Sequence, residues 1–124
     1  MAETSAVQVL QDWHDAVNAG DVERAARCCS DDVAVAGPRG VGRGQDLVRI
    51  WLVRSGIRLE QQEDLVESGG RFVVHELARW TTADAPPGAP TGATPTWCVF
   101  TVSDGRVTSI ARYDTESEVP PIVT

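Results

Sequence analysis

The sequence predicts an α+β domain in which three N-terminal helices pack on a curved antiparallel β-sheet. Three observations carry that expectation. Apolar residues up to about residue 54 recur at helical spacing, the chain from Ile57 to Asp114 breaks into strand-length runs between turn signals, and 124 residues build one core rather than two. Hydrophobic residues at 42% and charged residues at 23% match an ordinary folded globular chain and exclude a disordered or collagen-like one.

Taken in order, Ser5 with Gln8 three residues later forms a capping box, and Ala6, Leu10, Trp13 and Val17 then lie on one helical face. This places a first helix over about 5–18. Gly20 stops it, and Asp21 caps a short second helix whose Val22, Ala25, Ala26 and Cys29 share one side. Val33 to Ala36 reads as a short strand, and the run Gly37-Pro38-Arg39-Gly40-Val41-Gly42-Arg43-Gly44 reads as a loop. A third helix, about 45–54, is apolar at Leu47, Val48, Ile50, Trp51 and Leu52 and belongs to the core.

Beyond it four strands are expected, over Ile57 to Val66, Arg71 to Thr81, Thr94 to Val102 and Arg106 to Asp114, as an antiparallel meander. Ser68-Gly69-Gly70 and Ser103-Asp104-Gly105-Arg106 supply tight turns. Ala83 to Ala93, with three prolines and two glycines, reads as a mobile loop, and the tail 116–124 as loose. Residues 1–124 are thus read as one domain with its core over about 5–115.

Charge and composition narrow the function. Net charge is −7, a field that repels phosphate backbones and anionic lipid heads, so neither nucleic acid nor a membrane is an expected partner. All eleven basic residues are arginine, which excludes Schiff-base chemistry on a lysine. Cys28, Cys29 and Cys98 show no disulfide or zinc spacing, and His14 and His75 form no helical ligand pair, so no metal and no cofactor are expected. Glu3 without a preceding basic residue argues against a secretory signal and makes the cytoplasm the default expectation.

The order α-α-β-α-β-β-β-β, with Trp13-His14-Asp15-Ala16-Val17-Asn18-Ala19-Gly20-Asp21, Ser30-Asp31-Asp32-Val33, the Gly40 to Asp46 stretch and Phe100-Thr101-Val102-Ser103-Asp104-Gly105-Arg106-Val107, resembles the nuclear transport factor 2-like superfamily. The resemblance is to its SnoaL-like and ketosteroid isomerase-like branch. It implies a cone-shaped fold with a hydrophobic cavity between sheet and helices, and a homodimer formed through the outer sheet face. The isomerases' catalytic residues are not carried over: Trp13 stands at the tyrosine position, Gly37 at the base, and Cys98 or Val99 at the second aspartate. The Asp-Arg-Asp group of limonene epoxide hydrolases falls on Leu77, Arg79 and Arg112, so both carboxylates are missing there as well.

Side chains of Arg71 to Thr81 split by parity, and the resemblance puts Val73, His75, Leu77 and Arg79 inside and leaves Phe72, Val74 and Trp80 for a dimer interface. The alternative is a solvated odd face and a core even face. His75 is then the first choice for acid–base work, with Arg79 and Arg112 as electrostatic partners; His14, beside Trp13, ranks lower. Trp13, Trp51, Val73, Leu77, Cys98 and Ile110 are the expected ligand-binding wall. A two-residue Asp104-Gly105 loop sets Cys98 opposite Ala111 and Trp97 opposite Arg112, unless a bulge shifts the ladder. The functional expectation is a protein that binds a small hydrophobic or carbonyl-bearing molecule, as an isomerase, cyclase or epoxide hydrolase-type enzyme with a non-standard site. A non-catalytic ligand-binding or dimerisation module is the alternative.

Overall fold

In the computed structural model, which describes residues 5–37, 40–63, 65–68, 71–80, 94–113, 115, 117 and 119, the expected caps start the helices. The Ser5 side chain accepts from the Gln8 amide at 3.1 Å and opens α1 (Ala6–Ala19), which ends at Gly20 in the left-handed conformation. Asp21 accepts from the Arg24 amide and opens α2 (Val22–Arg27). After the strands β1 (Cys29–Gly37) and β2 (Gly40–Arg43) comes α3 (Gln45–Ser55). The remainder is β3 (Ile57–Gln61), β4 (Val66–Ser68), β5 (Arg71–Trp80), β6 (Thr94–Ser103) and β7 (Arg106–Tyr113).

One sheet runs β2-β1-β7-β6-β5-β3, with β4 also paired to β5. It is antiparallel except for β1 and β7, which run parallel. The helices cover one face of it, and Leu10, Trp13, Val17, Val48, Leu52, Phe72, Val74, Phe100 and Ile110 meet in the core. Irregular register in the β1–β7 pair, between Cys29 and Ala34, and in the β6–β7 pair, between Thr101 and Val102, adds the local twist that bends the sheet around them.

Three elements differ from the sequence expectation. Within the glycine-rich run, Gly40–Arg43 forms a strand paired with β1 rather than a loop, and it packs closely: a Cβ at Gly42 would lie 2.3 Å from Leu47 Cδ2. The expected strand over Ile57 to Val66 divides into β3 and β4, both antiparallel to β5. In the last hairpin Ser103 pairs with Arg106 as expected, but the bulge at Thr108 places Cys98 opposite Arg112 and Trp97 opposite Tyr113. The expected Ala83 to Ala93 loop, the Gly69-Gly70 turn and most of the 116–124 tail lie outside the described residues.

Two polar side chains fix α1 against β3. Asn18 donates to the Leu59 carbonyl and accepts from the Leu59 amide, both at 2.8 Å, and so closes the edge of β3 as another strand would. Arg58 Nη1 donates to the carbonyls of Val17, Gly56 and Ile57, tying the C-terminal ends of α1 and α3 together. Replacing Asn18 with alanine leaves both Leu59 backbone groups without these partners. The expected result is a loss of about 1–3 kcal/mol, read as a lower midpoint of chemical denaturation at unchanged slope.

Candidate functional site

Helix α1 turns Trp13 fully into the core, and the next residue, His14, therefore reaches the sheet at the edge of the same apolar stripe. His14 lies edge-on to Trp13 and Phe100, with centroids 5.0 and 5.3 Å away. Its Nδ1 is 2.7 Å from the Leu10 carbonyl, one turn earlier, and its Nε2 is 2.6 Å from Glu76 Oε1. Glu76, in the middle of β5, is fully buried, at 0% exposure. A carboxylate there requires a positive partner, and α1 supplies it.

The protons follow from these contacts. A carbonyl can only accept, so Nδ1 carries a hydrogen for Leu10, and the second proton of the pair lies between Nε2 and Oε1. Burial, the strongest single influence on His14, favours the neutral ring. The hydrogen bond and charge of Glu76, the Leu10 carbonyl and the Asp15 charge together outweigh it, and the His14 pKa is raised above 6.5. Glu76 Oε2 makes no geometric hydrogen bond among the described residues.

Neighbouring strands extend this cluster along the inner face. Thr96 lies opposite Glu76 on β6 and is also fully buried; its hydroxyl donates to the Tyr113 carbonyl at 3.0 Å and accepts from Arg112 Nη1 at 3.3 Å. Cys98 stands between the two charges, beside Val74 on β5 and Arg112 on β7. Burial first, and then the charge of Glu76 and its hydrogen bond with the thiol, push Cys98 well up against the opposing Arg112 charge, so it stays protonated and serves as packing rather than as a nucleophile. Among the described residues no group of three His, Cys, Asp or Glu side chains is placed to hold a metal.

The expected site residues divide between the two faces of the sheet. Trp13, Cys98 and Ile110 are buried on the helix side, Trp51 is half-buried and stacked on Trp13 at 6.4 Å, and half-buried Arg112 joins them through the bulge. The odd-numbered set of β5 does not. Phe72, Val74, Glu76 and Ala78 are the buried residues of that strand, whereas Val73, His75 and Leu77 are half-buried and Arg79 is exposed, on the opposite face.

His75 stacks flat on Trp97 there, with centroids 4.7 Å apart, and lies 3.5 Å from Glu63; Arg79 lies 3.8 Å from Glu60. The expected inward facing of Val73, His75, Leu77 and Arg79, and the dimer interface on Phe72 and Val74, are thus corrected. The physical reason is the apolar count: Phe72, Val74 and Ala78 fit beneath the helices, and Glu76 enters with them because His14 neutralises it. The side chain of Trp80 lies outside the described residues. A separate hollow of about 240 Å³ lies between Ala16, Val17, Val22, Leu52, Ile57 and Arg58, and neither His14 nor Glu76 lines it.

The model of the SnoaL-like domain matches residues 10–110, most of the chain. The chain belongs to the SnoaL-like family. Its helices on an open curved sheet are those of the nuclear transport factor 2-like superfamily, and solved structures agree. An NTF2-like protein of unknown function from Cytophaga hutchinsonii superposes with a TM-score of 0.77 at 12% identity, over 94% of this chain and 95% of that one. A ketosteroid isomerase-like protein from Catenulispora acidiphila, in complex with trimethylamine, gives 0.72 at 16%, over 94% and 91%. The epoxide hydrolase/cyclase-like enzyme SalBIII, of pyran ring formation in salinomycin, gives 0.71 at 17%, over 90% and 92%. At these identities the likeness is one of fold. No curated protein matches this SnoaL-like chain.

Neither histidine motif nor spacing marks the His14–Glu76 pair. Its one sequence signal is an acid on the more apolar face of β5, together with a histidine adjoining the most deeply buried aromatic of α1. Because its affinity for a proton is higher in the folded chain, His14 contributes stability that is complete below about pH 6.5 and lost as pH rises through the raised folded value. Thermal unfolding from about pH 6 to about pH 9 should therefore show a falling midpoint for the wild type, and a flatter profile for His14→Gln.

Proposed function

We propose that this SnoaL-like protein binds a small, largely apolar, carbonyl-bearing molecule against the inner face of its sheet, and that Glu76 exchanges a proton with it. The observation that supports this is a fully buried carboxylate with one oxygen held by His14 and the other, Oε2, without a geometric hydrogen bond among the described residues. His14 has both ring nitrogens committed, so Oε2 of Glu76 is the atom left to act and His14 is the group that positions and charges it.

For a ligand with an acidic C–H beside a carbonyl, Oε2 takes the proton and the C–H bond breaks. Its electron pair moves to the carbonyl oxygen as an enolate, and return of the proton to another position completes an isomerisation or a ring closure. Arg112, across Cys98 on the same face, supplies positive charge toward that oxygen. SalBIII, of similar fold, is named for ring-forming chemistry, and the Catenulispora protein for a bound small molecule.

A second reading, a non-catalytic binding or dimerisation module, is favoured by one observation: neither Glu76 oxygen presents surface to water, so the pair also serves as a core lock. Self-association through the outer sheet face belongs to both readings, now resting on Val73, Leu77 and the stacked His75 and Trp97.

Exchange of the α-protons of cyclohexanone in heavy water, followed by NMR, separates the readings. The wild type should accelerate exchange and Glu76→Gln should lose the acceleration by about 100-fold or more, while His75→Ala stays within about twofold of wild type. Equal exchange by wild type and Glu76→Gln, with both folded, would leave only the non-catalytic reading.

A further inference from the structure

We infer that the hollow between the C-terminal ends of α1 and α3 is a second ligand site, and that it takes a small monocarboxylate with a compact apolar body, its carboxylate paired with Arg58. The hollow is separate from the His14–Glu76 pair, so the inference is independent of the function proposed for the inner face.

Two helix ends and the start of β3 build its walls. Ala16 and Val17 of α1, Val22 of α2, Leu52 of α3 and Ile57 of β3 bound about 240 Å³ with apolar surface, and Arg58 is the one charged residue among the described residues that line it. An apolar cavity of about 150 Å³ holds a benzene ring, so this hollow has room for a ring and a short substituent. Val53, at its rim, is 63% exposed, which leaves the hollow open to solvent on that side.

Half-buried Arg58 keeps one edge of its guanidinium for the occupant. Nη1 is spent: its hydrogens are shared among the carbonyls of Val17, Gly56 and Ile57, at 3.2, 3.4 and 3.0 Å. Nε and Nη2 have no hydrogen-bond or ion-pair partner among the described residues, and neither is sealed from water. Nη2 stands beside Gly20, itself a lining residue, where an added Cβ would lie 3.3 Å from it. Together Nε and Nη2 form the side of the guanidinium fork that matches the two oxygens of a carboxylate.

Charge selects an anion over a neutral acceptor or a cation. A half-buried guanidinium with no carboxylate beside it is short of countercharge, and the three carbonyls, two of them at the ends of α1 and α3, supply only partial charges. Asp21, next in the chain to Gly20 and Val22, holds the Arg24 amide as the cap of α2. The net charge of −7 opposes an anion at long range, but it is screened beyond about 8 Å at physiological salt, whereas the fork acts at contact. A second carboxylate on the ligand would find no partner on the apolar walls, so a monocarboxylate fits and a dicarboxylate does not.

The test titrates phenylacetate, its neutral analogue phenylacetamide and the cation phenethylammonium into the protein and follows the backbone amides by NMR. Phenylacetate should bind about 10-fold or more tightly than phenylacetamide, with shifts centred on Gly20, Val22, Val53 and Gly56, and phenethylammonium should bind most weakly. In Arg58→Lys, which keeps the charge but loses the fork, the preference for the carboxylate should shrink to within about threefold. Val22→Phe, which narrows the hollow and leaves Arg58 in place, should weaken phenylacetate binding by about 10-fold or more; this variant serves if the lysine variant does not fold.

Equal binding of phenylacetate and phenylacetamide, shifts centred on His14, Glu76 and Thr96 instead, or no saturable shift at all overturns the assignment. So does a folded variant of either kind that binds phenylacetate as the wild type does. Cyclohexanone exchange, which reads Glu76, is unaffected by any of these outcomes, so the two proposals fail separately.

Discussion

A fully buried carboxylate in the middle of β5, met there by His14 of α1, is the constraint on which the inner face depends. Withdrawing a carboxylate and an imidazolium from water costs several kcal/mol for each ion, and their attraction at 2.6 Å offsets that cost only while both are present. The net energy of the pair is therefore small, but the energy of either partner alone is large and unfavourable. Helix α1 is held in one rotation and one height against the sheet, because a slip of a single residue would separate His14 from Glu76. Asn18 and Arg58 fix the far end of the same helix through backbone groups, so the two ends are set independently.

The architecture was legible because each element carries its own local signal. Ser5 and Asp21 cap the helices they were expected to cap, Gly20 ends the first, and Asp104-Gly105 turns the last hairpin. These depend on a few neighbouring residues and are decided within a turn of chain.

The site was less legible because facing is a long-range property. Alternation along β5 separates His75 from Glu76 with certainty, but which set lies beneath the helices depends on elements far away in sequence. Both faces carry apolar residues, Val73 and Leu77 on one and Phe72, Val74 and Ala78 on the other, and a histidine among the first set made it the more attractive choice. Glu76 is understood only once His14, 62 positions earlier, is known to meet it. The same holds for Arg112: without the bulge, an alanine would stand opposite Cys98.

The bulge gives the β6–β7 hairpin one residue more than its ladder uses. Thr101 pairs with Ser109 and Val102 with Val107, so Thr108 is the surplus, held by its hydroxyl on the Thr101 carbonyl. A chain one residue shorter at that point would restore an even ladder and still present the same guanidinium to the interior. Length variation in the final hairpin is therefore neutral for the lining of the site at this position, whereas a single-residue deletion in β5 on either side of Glu76 would be felt by everything the strand presents beyond the break.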